Sequence, residues 1–133
     1  MAKQPNTPTA EQAEQFDQCI KFWQGILGLT RWRMERGLKP AKAAMASVEF
    51  SDDARLVIYR LGDFGATQIN YESLSMTALH EVLHVLLHEL MTKAQDRGAE
   101  SVEIDSAEHA VINVLESVLF GALHNGSPKQ KKG

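Results

Sequence analysis

Cysteine is nearly absent from this chain, and the single Cys19 rules out an internal disulfide. With no signal-peptide pattern either, a reducing cytoplasmic setting is expected. Cys19 lies within a helical apolar pattern and reads as a small core residue. No apolar run reaches the ~20 residues of a membrane span, so no membrane association is expected. Neither sign of charge dominates. A net charge of −3 gives no electrostatic reason to expect nucleic acid as a partner. Internal repeats are missing, and glycine does not occur between Gly65 and Gly98. The 133 residues are enough for one domain and too few for two, and that domain is placed at residues 9–124. Residues 1–8 are polar with two prolines and are expected to be disordered. Residues 125–133, with Lys129, Lys131 and Lys132, read as a flexible tail.

What is present is periodic. Thr9 followed three residues later by Gln12 is a capping-box pattern that opens a helix over residues 10–27. Its apolar stripe is Ala13, Phe16, Cys19, Ile20, Trp23, Ile26 and Leu27, and Gly28 is placed to end it. Extended pieces are expected over residues 29–35, 43–50 and 54–61. The last two flank Ser51-Asp52-Asp53 and pair as an antiparallel hairpin. Residues 67–71 suggest another short extended piece, and Ser73 or Ser75 caps the helix that follows. A loop is expected over residues 92–102. A final helix covers residues 106–123, with the apolar face Ala107, Ala110, Val111, Val114, Leu115, Val118, Leu119 and Leu123 turned to a packing partner. The fold class is α+β: an N-terminal helix on a small, mainly antiparallel sheet, then two more helices.

The stretch that carries chemistry is His80-Glu81-Val82-Leu83-His84. Around it Leu79, Val82, Leu83, Leu86, Leu87 and Leu90 recur at three- and four-residue spacing, which predicts an amphipathic helix. Four residues make about one turn, so His80 and His84 project from one face about 6 Å apart along the axis. Two imidazoles so placed can share one metal ion. Glu81, one residue round, can hold a water at the ion's open position. In this H-E-x-x-H arrangement zinc acidifies the water and the glutamate accepts its proton. His88 extends the series but lies about 12 Å of rise from His80, too far for one ion with bonds of ~2 Å. A third histidine further along would need a glycine to turn the chain, and none is there. The plain alternative is that these histidines make ordinary hydrogen bonds and no metal binds.

A third ligand must then come from another segment. Glu108 borders the apolar face of the last helix and is the first choice. With Asp105 as N-cap it would also fall at the third helical position, where an acid stabilises any helix start. Glu116 is the alternative, followed by His109 or Asp105. His109 and Tyr71 are candidates to steady the oxyanion of a tetrahedral intermediate. Asn113 is placed to hydrogen-bond a ligand histidine.

Leu79-His80-Glu81-Val82-Leu83-His84 and the later Glu108-His109-Ala110-Val111-Ile112-Asn113 together resemble small zincin metallopeptidases. In style the chain is most similar to minimal gluzincins, ImmA/IrrE-type proteins and the short metallopeptidases carried by phages and prophages. The resemblance implies zinc held by His80, His84 and Glu108, with Glu81 as general base and a protein or peptide as substrate. A regulatory protein that keeps this shape without turning over peptides is the alternative. Protein prepared without a histidine tag or added zinc is expected to carry about one zinc per chain. Elemental analysis checks this, and loss of the metal in both His80→Ala and His84→Ala is the expected companion result.

Overall fold

The computed structural model describes residues 4–96 and 100–125, without the side chains of residues 89, 93, 96 and 122–125. Three helices and three strands follow in the order α1 (Ala10–Ile26), β1 (Arg33–Arg36), β2 (Ala46–Ser51), β3 (Leu56–Leu61), α2 (Tyr71–Asp96) and α3 (Ser101–Asn125). The α+β class expected from the sequence is the one observed. None of the described helices is long and apolar enough to cross a membrane. The flexible tail expected beyond α3 lies outside the described residues.

α1 begins as its sequence dictates. The Gln12 main-chain N–H donates to Thr9 Oγ1 at 3.1 Å, and the Thr9 N–H donates to Gln12 Oε1 at 2.9 Å. Two donors that the first turn leaves without helical partners are thereby satisfied. The helix stops where Gly28 takes φ +69°, a left-handed conformation that glycine adopts without a Cβ clash. Ala13, Phe16, Cys19, Ile20 and Trp23 are buried. The Gln24 amide then donates to the carbonyls of Leu29 and Trp32 at 3.0 and 2.7 Å. That bracing folds the start of the expected 29–35 strand into a turn, and β1 begins only at Arg33.

The sheet order is β1-β3-β2. β2 and β3 form the expected antiparallel hairpin, with Val48 opposite Tyr59 and Phe50 opposite Val57. β1 runs parallel to β3, so the sheet is mixed. The connection from β1 to β2 carries the chain across to the far edge of β3, and that crossover makes β1 and β3 point the same way. Val57 forms a core with Trp32 and Val85, against which Leu29, Met34, Val48 and Phe50 pack. Tyr59 meets Phe16 of α1 with ring centroids 5.7 Å apart. α1 is tied to α2 by Trp23, whose Nε1–H donates to both the carbonyl and the hydroxyl of Ser75 at 3.1 Å.

Several local expectations change. Residues 67–70 form no strand, and the cap of α2 is Asn70 in place of Ser73 or Ser75. The Ser73 N–H donates to Asn70 Oδ1 at 2.8 Å while the Asn70 N–H donates to Ser73 Oγ at 2.9 Å. The N-terminal run expected to be disordered is held at Asn6. Its amide donates to the carbonyls of Gly65 and Thr67, and its main-chain N–H donates to Asp63 Oδ1 at 2.9 Å. The N–H groups of Gly65 and Asn6 hold the exposed Asp63 carboxyl below its ordinary range. α2 continues to Asp96 and α3 starts at Ser101, so within the loop expected over residues 92–102 the residues 92–96 and 101–102 are helical.

Two compact units are distinguished, Met1–Val85 and Leu86–Gly133, with the boundary inside α2. In the second unit α3 buries Ile104, Ile112 and Phe120. Leu115 and Leu119 are half-buried, while Ala107, Ala110, Val111, Val114 and Val118 are exposed. The packing face expected for this helix is therefore rotated from the valines towards the isoleucines.

In the first unit, Tyr59 donates its hydroxyl to Asp17 Oδ1 at 2.8 Å, and Arg36 grips both oxygens of the same carboxylate at 3.0 and 3.2 Å. Burial, followed by the bond to the Asp17 carboxylate, pushes the phenol well above its ordinary value of 10.0. Above that pH the unfolded chain has released a proton that the folded chain still holds. Stability therefore falls as pH rises, by up to about 1.4 kcal/mol per pH unit. Denaturant titrations between pH 9 and 11 (roughly spanning the free phenol value) are expected to show this limb in the wild type and a flatter one in Tyr59→Phe.

Candidate metal centre

From residue 73 to residue 85, α2 is buried almost all round. Leu74, Ser75, Thr77, Ala78, Leu79, Glu81, Val82, Leu83 and Val85 are all buried. Half-exposed positions recur only at Ser73, Met76, His80 and His84. That three- and four-residue spacing traces one line along the helix. The two histidines thus lie on the line along which residues 73–85 reach the surface, and the apolar residues between them turn inward.

The rings of His80 and His84 have centroids 5.0 Å apart with an interplanar angle of 68°. Each offers a ring nitrogen, and these lie within 4.8 Å of one another. A tetrahedral ion with bonds of ~2 Å needs two donors about 3.3 Å apart. Side-chain rotation alone closes a gap of that size, with no movement of the helix backbone.

Glu81 is only 5 % exposed. A carboxylate so far out of water is costly unless its oxygens are satisfied. Among the described residues no buried side-chain polar atom lacks a hydrogen-bond partner. Thr77, one turn earlier on the same face, is also buried.

The other candidates are placed as follows. Tyr71 is the first residue of α2 and 59 % exposed. Nine residues before His80, it lies about 13 Å lower and on the opposite side of the helix. Its hydroxyl bonds with Cys19, and burial, then Cys19, push the phenol above its ordinary value. The structure does not bring Tyr71 to the histidine pair. Cys19 is itself buried, and that burial holds its thiol above the ordinary range.

Glu108 and Glu116 are half-buried on α3, while Asp105, His109 and Asn113 are exposed. Because α3 begins at Ser101, Asp105 is no N-cap and Glu108 sits beyond the first turn. The helix-start explanation for Glu108 therefore falls. His109 Nδ1 is 2.9 Å from the Asp105 carbonyl oxygen. A carbonyl only accepts, so this contact places a proton on Nδ1. Sequence reasoning also missed Thr77 and Asn70, for which a buried hydroxyl within the apolar stripe and an Asn three residues before Ser73 were the available signals.

Comparisons with protein-family models, with curated proteins and with solved structures find no match to this chain. The geometry generates a discriminating test. Tyr71→Phe is expected to leave zinc content within error of the wild type, whereas His84→Ala reduces it to background. Elemental analysis of the purified variants, with circular dichroism to verify folding, checks both.

Proposed function

We propose that the chain is a zinc-dependent peptidase whose ion is held by His80 and His84. The observation that carries this reading is the pair of imidazoles with donor atoms within 4.8 Å on the open line of α2, with Glu81 beside the first of them in the chain. Zinc, when bound, supplies a Lewis acid that polarises a peptide carbonyl and lowers the pKa of water. His80 and His84 orient the ion through their ring nitrogens. Glu81 takes a proton from the attacking water at its carboxylate and passes it to the departing amine. The substrate class is an extended peptide. Its main chain can add to a sheet edge, and β1 and β2 are the edges of the described sheet.

The remaining ligand is proposed to be one of Glu108, Glu116 and His109, and substitution sorts them: the variant that loses zinc while keeping its fold identifies the ligand. A second reading, a zinc-binding regulatory protein without turnover, is favoured by the burial of Glu81, because a general base must reach water and substrate.

Cleavage of a fluorogenic peptide library is the deciding experiment. Turnover is expected in the wild type. Glu81→Gln is expected to lower the rate roughly 10²- to 10⁴-fold while zinc content stays unchanged. Zinc at full occupancy without cleavage of any peptide supports the regulatory reading. Undiminished cleavage by Glu81→Gln removes Glu81 from the mechanism.

A further inference from the structure

Among the described residues only Ala43 and Arg55 hold a left-handed backbone without being glycine, with φ of 53° and 52°. Arg55 closes the turn of residues 52–55 between β2 and β3, where its N–H donates to the Asp52 carbonyl at 3.2 Å. Glycine takes this conformation freely, whereas a residue with a Cβ is strained in it. Such strain persists only where the surroundings hold it, and it gathers at functional sites. What arginine brings to this turn is its side chain. The guanidinium carbon lies 5.4 Å from the centre of the Trp32 ring, within cation–π range.

Through Trp32 this contact reaches the histidine helix. The buried indole shares a core with Val57 and Val85, and Phe50 meets it edge-on with ring centroids 5.7 Å apart. Its main chain is held as well. The Gln24 amide donates to the Trp32 carbonyl at 2.7 Å, and the N–H of the next residue, Arg33, donates to the Arg55 carbonyl at 2.9 Å. Val85 follows His84 directly and is 3 % exposed. The core that receives Val85 therefore fixes the turn of α2 on which His84 stands, and metal ligands depend on supports of this kind for their placement. We propose that Arg55 and Trp32 are positioning residues for the His80–His84 pair: Arg55 steadies the indole, and the indole seats Val85 and with it the His84 ring. This rests on the zinc reading above, and every residue it uses belongs to the first unit.

Arg55→Gly separates this role from a purely structural one, because it relieves the strain while removing the support. Its thermal midpoint is expected to equal or exceed that of the wild type. Its zinc affinity, read on the full chain by competition with a chelating dye, is expected to fall about tenfold. Arg55→Lys keeps a cation above the ring and is expected to recover most of that affinity without the gain in midpoint. Trp32→Phe is expected to lose about tenfold in affinity as well, with an unchanged circular dichroism spectrum. Wild-type affinity in Arg55→Gly would overturn the proposal. So would a fall in midpoint and affinity together, since that is what a role in the fold alone predicts. A wild type that takes up no zinc would remove the zinc reading and this inference with it, an outcome distinct from an affinity that the variants leave unchanged. If Trp32→Phe does not fold, the two Arg55 variants decide.

Discussion

The rotation of α2 about its own axis is held by Leu74, Ala78, Leu79, Val82, Leu83 and Val85, all of them buried. Burying one such side chain contributes about 1.5–3 kcal/mol. Turning the helix by one residue would expose several of them and drive two imidazoles inward, so the present orientation is favoured by several kcal/mol. Whatever His80 and His84 bind, they approach it along a line that the core has set. Precise placement of this kind is what a metal site demands, because its ligands must hold position to a fraction of an ångström.

Glu81 sits on the inner side of that line and works against the same burial. The apolar neighbours that fix the helix also raise the cost of a charged carboxylate there. Asp17, which is only half-buried, has an arginine and a tyrosine hydroxyl on its two oxygens. At Asp17 the pairing is structural and complete within the first unit. At Glu81 the carboxylate stands beside two potential metal ligands, and that company is what suggests chemistry.

Much of the fold was legible because its causes are local. The Thr9–Gln12 box, the stop at Gly28 and the hairpin around residues 51–53 each depend on residues within one turn of each other. The His80–His84 pair belongs to the same class, since one helical turn brings the rings together whatever else the chain does. The start of α3 was misplaced because Ser101-Val102-Glu103 carries no stronger cap signal than Asp105-Ser106. The valines were assigned to the core because periodicity shows that a helix has an apolar face without showing which part of it is covered.

Other features were decided by distant partners. β1 runs parallel to β3 only because the chain crosses to the far edge before returning, and nothing in Arg33–Arg36 encodes that direction. Asn6 reaches across the sequence to residues 63–67, turning a polar leader into an ordered strap and leaving residues 67–70 without a strand to join. Tyr71 was a reasonable donor by composition, yet half a turn of phase and about 13 Å of rise set it apart from the histidines. The sequence by itself determined which residues could be ligands and base, because helix pitch is a property of the backbone. Only the tertiary structure decided which face of each helix is dry, because burial depends on what the rest of the chain sets against it.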